Sequence, residues 1–169
     1  MRTTLILAGL LCAAFTTATA QDVTKATAKL ESKSNSKVTG TVTFTKSGAD
    51  VEVTGDIENL SPGEHGFHIH DKGDCSAVDA ASAGPHFNPM HKHHGGPDTA
   101  ERHEGDLGNI KADSSGKAHI QWKGKLSLAG ADSIVGKSVV VHEKADDLKT
   151  DPAGNSGARI ACGVIEAAK

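Results

Sequence analysis

Val38-Thr39-Gly40-Thr41-Val42-Thr43-Phe44-Thr45 alternates at every step. In an extended chain Val38, Gly40, Val42 and Phe44 fall on one side and the four threonines on the other, the pattern of a strand buried on one face. The same alternation returns at Val51 to Ile57, Glu64 to His70, Asn109 to Ala112, Ala118 to Trp122, Ser138 to Val141 and Arg159 to Ile165. Ser61-Pro62-Gly63, Ser114-Ser115-Gly116 and Asn155-Ser156-Gly157 punctuate these runs as turns. No stretch sustains a helical apolar period, and there is no repeat or low-complexity linker. Short strands with Gly-containing turns predict an all-β, antiparallel sandwich or barrel. One long stretch, Asp71 to Asp106, carries no strand pattern. A compact domain holds a loop of that length when it is functional or tied down.

The first twenty residues are read separately. Arg2 gives a positive start, Leu5 to Phe15 is apolar, and Ala18-Thr19-Ala20 offers small residues for cleavage. Residues 1–20 are therefore predicted to be a signal peptide cut after Ala20, leaving residues 21–169 as one domain. A lipid anchor on Cys12 is the weaker reading, because Leu11 stands where a small residue would be needed. The signal's brevity suggests the periplasm as destination, with secretion as the alternative. No later stretch approaches the ~20 apolar residues of a membrane span, so no membrane partner is predicted.

Composition narrows the class further. With no Tyr, one Trp and four Phe among 169 residues, the core must rest on Val, Ile, Leu and Ala. The formal charge of −3, without basic runs, argues against a nucleic-acid partner. Of three cysteines, Cys12 leaves with the signal, and Cys75 and Cys162 remain, 87 positions apart. Two cysteines in an exported chain predict a disulfide. Thiolate metal ligation is the competing reading, and the absence of CxxC or CxxH spacing weighs against it.

Histidine placement carries the chemistry. His68 and His70 form an H-x-H pair; His86, His94 and His103 follow, then Asp106, with His142 near the C-terminus. On a strand His68 and His70 share a face, while Phe67 and Ile69 point the other way, toward a core. The metal face then lies outside the barrel, under the long loop. The donors suffice for a four-nitrogen site beside a three-nitrogen, one-carboxylate site, provided one imidazole serves both. Nitrogen-rich tetragonal sites suit Cu(II), and tetrahedral histidine plus carboxylate suits zinc.

Several motifs around these residues extend the pattern. They are Gly66-Phe67-His68-Ile69-His70, Gly84-Pro85-His86-Phe87-Asn88-Pro89, His94-Gly95-Gly96-Pro97, Arg102-His103 and Gly105-Asp106-Leu107-Gly108-Asn109. Further on stand Val140-Val141-His142-Glu143-Lys144-Ala145-Asp146-Asp147 and Gly154-Asn155-Ser156-Gly157-Ala158-Arg159-Ile160-Ala161-Cys162-Gly163. In order and spacing, across nearly all of residues 21–169, the chain resembles the copper/zinc superoxide dismutase family, as an exported bacterial-type member.

The resemblance implies an eight-stranded antiparallel Greek-key barrel, an immunoglobulin-like sandwich with long metal-binding and electrostatic loops. It implies copper at His68, His70, His86 and His142, and zinc at His86, His94, His103 and Asp106, one of each metal per chain. His86 would bridge the two. Asp146 would be the carboxylate joining a copper histidine to a zinc histidine, Arg159 the cation that docks superoxide, and Cys75–Cys162 the disulfide. His65 would make structural hydrogen bonds. The implied activity converts superoxide to oxygen and hydrogen peroxide, with Arg159 and His86 as catalytic residues.

Some residues stand outside that set. His91 and His93 crowd His94, but His94 alone precedes Gly-Gly-Pro, so the other two are expected to be exposed, at most weak external metal binders. His119 is expected on the surface of a strand. Between Asp147 and Arg159 the chain has only Leu148 to Ala158, without the acidic pair and lysine of longer family loops and with Ala153 where a channel threonine would stand. Lys144, Lys149 and Lys92 are the candidates for steering an anion. Two rivals share the fold: a zinc-only hydrolytic protein, which would need an open zinc position, and a copper-buffering module, which would dispense with a copper ligand or Arg159. A monomer and a homodimer are both open.

Overall fold

The computed structural model describes residues 23–168. The expected signal peptide, its cut after Ala20 and Cys12 lie outside the described residues. The strands are β1 (Lys25–Ser32), β2 (Thr39–Ser47), β3 (Asp50–Glu58), β4 (Gly63–His70), β5 (Asp106–Ala112), β6 (Ala118–Gly124), β7 (Ser138–His142), β8 (Arg159–Val164) and a two-residue β9 (Glu166–Ala167). Eight of them pair in the order β5-β4-β7-β8-β1-β2-β3-β6, and β9 adds to β1. All the strand ladders are antiparallel. The connections β3–β4 and β6–β7 cross between distant strands, as in a Greek key, and β5 lies against β6, so the barrel is nearly closed.

The alternation predicted for β2 holds: Val38, Val42 and Phe44 are buried while Thr39, Thr41 and Thr45 are exposed. β1 was not among the runs the sequence distinguished. Its inward residues are Ala26, Ala28 and Leu30, and alanine between lysines carries little strand signal. The core is aliphatic apart from Phe44, Phe67 and Phe87, in keeping with the composition.

Both faces of β4 and β7 are covered. Phe67 and Ile69 point into the core, and His68 and His70 point the other way yet are equally buried. Val139 and Val141 join the core, whereas Val140 packs with Ala80, Ala83 and Cys162 in a small second cluster outside the barrel. The cover is the segment 71–105, which holds one short 3-10 turn at Ala81–Ala83. Its backbone is sewn to β4: Phe87 N–H donates to Ile69 O (2.8 Å), Ile69 N–H to Gly105 O (2.9 Å) and Gly105 N–H to Phe87 O (2.9 Å). The Cys75–Cys162 disulfide staples the same segment to β8.

Because the crosslink closes 87 residues, chain entropy assigns it roughly 4–5 kcal/mol, as an upper figure. Reduction should lower the urea midpoint by a corresponding amount and expose the segment 71–105 to protease before the barrel. Urea melts with and without reductant, with limited proteolysis in parallel, check both.

Candidate metal centre

Two sets of buried donors converge under the loop. His68, His70, His86 and His142 form one, and His86, His94, His103 and Asp106 the other; within each set the ligand atoms lie within 4.8 Å of one another. β4 supplies the first two, β7 supplies His142, β5 opens at Asp106, and the covering segment brings the rest. His86 is the shared member, seated opposite His70 by an isolated bridge between their backbones.

In four of the rings the far nitrogen is occupied, and this fixes which nitrogen is free. His70 Nδ1–H donates to Gly84 O (2.9 Å), and His142 Nδ1 faces Gly157 O (3.4 Å). Carbonyls only accept, so both rings carry the proton on Nδ1 and present Nε2 as a lone pair. Those two Nε2 atoms stand 3.4 Å apart. His68 has the reverse arrangement: its Nε2–H donates to Asp146 Oδ2 (2.8 Å), leaving Nδ1 free. His94 Nε2–H donates to Asp146 Oδ1 (2.9 Å), again freeing Nδ1. One carboxylate thus orients a ring in each set.

On the second side, Nδ1 atoms surround Asp106. His86 Nδ1 lies 2.7 Å and His103 Nδ1 3.2 Å from its Oδ1, and His94 Nδ1 lies 3.1 Å from Oδ2. The Gly95 and His103 backbone N–H groups hold Oδ2 in place.

His68 Nδ1, His86 Nε2 and His94 Nδ1 are buried without a hydrogen-bond partner. A buried polar atom without a partner is costly, and here three such atoms point into the two sets. Metal ions resolve that cost. The first set offers nitrogen donors alone, which fits copper; the second offers three imidazoles and a carboxylate, which fits four-coordinate zinc.

Electrostatics agree with this fit. Burial pushes His68 down, His86 to about 4, and His70 and His142 well below their ordinary value. These rings are therefore neutral near pH 7, the form that coordinates. Burial also works against charge on His94, but Asp106 and Asp146 together raise it to about 10. A field that draws a proton between two carboxylates draws a divalent cation more strongly. Burial alone would raise Asp106, yet the His103, His86 and His94 rings beside it hold it far below the carboxylate range.

Arg159 opens β8 beside the first set. Its guanidinium donates to Ala80 O (2.8 Å) in the covering segment. It lines a surface cleft with Ser34, Asp79, Gly84 and Gly157, and Gly84 and Gly157 are the residues whose carbonyls hold His70 and His142. Burial lowers its pKa from the ordinary value, but an arginine stays charged regardless.

The remaining histidines lie outside both donor sets. His65 is buried, with Nδ1 facing His142 O (2.8 Å) and Nε2 near Ser61. His119 is a surface strand residue facing Asp56. His91 and His93 are exposed as expected, but His93 does not project freely: its Nδ1 meets Asp151 Oδ2 at 2.6 Å.

Three residues that the sequence reading gave no role also shape the site. Asn109 grips Asp146 by both backbone groups. Arg102 donates to the carbonyls of His103, Glu104 and Asp106. Both lie inside motifs already noted, so their positions carried a signal. Asp151, which accepts the His94 backbone N–H, carried none.

Comparison with known proteins gives the same picture. The family model described as copper/zinc superoxide dismutase matches residues 38–165. An extracellular Cu-Zn superoxide dismutase of Caenorhabditis elegans is 47% identical over 133 residues, 75% of this chain and 60% of that protein. One from Brugia pahangi is 45% identical over 78% of this chain and 70% of its own. A Cu-Zn superoxide dismutase of Cryptococcus neoformans var. grubii is 46% identical over 79% of this chain and 92% of its own. Among solved structures, the clock protein EA4 superposes with a TM-score of 0.83 at 42% identity, covering 90% of this chain and all of that one. These sequence relatives are nematode and fungal, so the expected bacterial type and periplasmic destination find no support in them.

Loss of His142 should remove a donor from the first set only. His142→Ala should empty copper and leave zinc near one per chain. Asp146→Ala should weaken both metals by roughly 10–100-fold, because it frees a ring in each set. Metal analysis after dialysis against graded chelator distinguishes the two.

Proposed function

The chain belongs to the copper/zinc superoxide dismutase family, and on that premise we propose that it converts superoxide to oxygen and hydrogen peroxide, with copper at His68, His70, His86 and His142 and zinc at His86, His94, His103 and Asp106. The observation that carries this reading is the pair of complete donor sets sharing His86, with Arg159 still present beside the all-nitrogen set. A copper-buffering module would not need Arg159, and a hydrolytic zinc site would not fill all four positions with protein donors.

The reaction takes an electron from one superoxide, released as oxygen, and gives it to a second, released with two protons as hydrogen peroxide. Copper, when bound, supplies the one-electron cycle between Cu(II) and Cu(I), and zinc a redox-silent charge that shapes the site. His86 faces one set with each ring nitrogen, so its Nε2 can hold a proton on the copper side and pass it to the reduced substrate. His68, His70 and His142 keep fixed tautomers and take no part in proton movement. Arg159 docks the anion at the cleft.

The loop 148–158 is short, so steering must come from elsewhere. Among the expected lysines, Lys92 donates to Ala100 O within its own segment. Lys144 runs past Gly157 at the cleft: a methyl group on that glycine would meet the lysine stem at 3.1 Å. Lys72, which the sequence did not single out, passes Gly84 in the same way at 3.3 Å. Lys144 and Lys72, whose stems run beside two residues of the cleft, are the proposed source of the positive field that an anionic substrate needs.

Two of the relatives are named extracellular, which accords with export. Cleavage after Ala20 would give a mature chain beginning at Gln21, and intact mass of the exported protein checks it.

Arg159→Ala should slow dismutation by one to two orders of magnitude with both metals retained. At an effective dielectric near ~20, a charge a few ångströms away is worth a few kcal/mol, and each ~1.4 kcal/mol is tenfold. Arg159→Lys should keep more activity, because the charge survives. Added salt should slow the wild type more than the alanine variant. Pulse-radiolysis decay rates across ionic strength test all three, and equal rates and salt slopes would remove Arg159 from the mechanism.

A further inference from the structure

The loop between β7 and β8 is folded around Asp147. Its carboxylate accepts the Lys149 N–H (3.1 Å), the Thr150 N–H (2.9 Å), the Thr150 hydroxyl (2.6 Å) and the Asn155 amide (2.9 Å). This hub turns Asp151 toward the segment bearing the zinc donors. There Asp151 Oδ1 accepts the His94 backbone N–H at 2.7 Å, and Oδ2 accepts His93 Nδ1–H at 2.6 Å. His94 is consequently held twice by one loop, at its backbone through Asp151 and at ring Nε2 through Asp146. Gly154, with φ +60, completes the fit: any side chain there would run into the Asp146 carboxylate.

A ring anchored only at Nε2 can pivot about that bond, and its free Nδ1 then swings out of line. The backbone anchor removes that freedom. We propose that Asp151, itself oriented by His93, is a positioning residue that fixes His94 for zinc, so that the β7–β8 loop governs how long zinc is retained. This rests on the zinc reading of His86, His94, His103 and Asp106.

The alternative is a generic surface pair that merely staples two loops. His93 is 80% exposed along its side chain and Asp151 49%, and pairs that open to water add little to global stability. The two ideas therefore diverge: positioning alters zinc kinetics selectively, whereas stapling alters everything slightly or nothing.

The test follows metal release from copper- and zinc-loaded protein into a chromophoric chelator. Asp151→Ala should release zinc roughly 10–100-fold faster, the usual cost of losing a group that orients a metal ligand. Asp151→Asn keeps an acceptor for the His94 N–H without the charge and should fall between alanine and wild type. His93→Ala should show a smaller acceleration, and His91→Ala none. Copper release should be unchanged throughout, and the metal-free variants should melt as the wild type does. With Co(II) in place of zinc, the visible bands of Asp151→Ala should shift, reporting a displaced donor. Zinc release at the wild-type rate from Asp151→Ala, or equal acceleration of copper and zinc, would overturn the proposal. Wild-type protein that takes up no zinc would overturn the metal reading beneath it.

Discussion

A buried imidazole has two nitrogens to satisfy, and the site satisfies one of each pair. Gly84 O, Gly157 O and the two oxygens of Asp146 engage the far nitrogens of His70, His142, His68 and His94. What remains is a set of inward lone pairs with no protein partner for three buried atoms. Tautomer, ring orientation and cation preference all follow from that division. The barrel supplies rigidity, but the choice of which nitrogen faces inward lies with carbonyls and one carboxylate outside it.

This arrangement requires dry surroundings, because water would satisfy the same nitrogens. Dryness comes from covering a face of the barrel that would otherwise be solvent-exposed. The segment 71–105 has little regular structure of its own, so it needs attachment: the backbone bonds to Ile69, the small cluster of Ala80, Ala83, Val140 and Cys162, and the disulfide. The disulfide is thereby tied to the cleft as well as to stability, since the segment it pins supplies Ala80 O, the acceptor that holds Arg159 there.

The second cover, the loop 148–158, is compact and depends on side-chain acceptors. Asp147 organises it, Asp151 reaches the segment bearing His94, and Asp146 at its base touches a histidine of each donor set. Three acidic residues close together in sequence would ordinarily repel. Here each carboxylate has its own N–H donors, joined at Asp147 by the Thr150 hydroxyl, which keeps their charges separately satisfied.

Much of this protein was legible in the sequence because the relevant signals are local. Period-two alternation declares a half-buried strand, the H-x-H pair declares a shared face, and the family motifs carry the donor set and the carboxylate Asp146. β1 was not legible, since its inward residues are mostly alanines whose burial depends on strands far along the chain. Nor was the partner of His93, nor Lys72 beside the cleft, nor the grip of Asn109 on Asp146. In each case the contact joins segments far apart in the chain, and no spacing within either segment encodes where the other will lie. Sequence alone determined the strand faces and the kinds of donor available. Tertiary structure decided which ring nitrogen each histidine presents, because that depends on which carbonyl or carboxylate the folded loops bring to its far side.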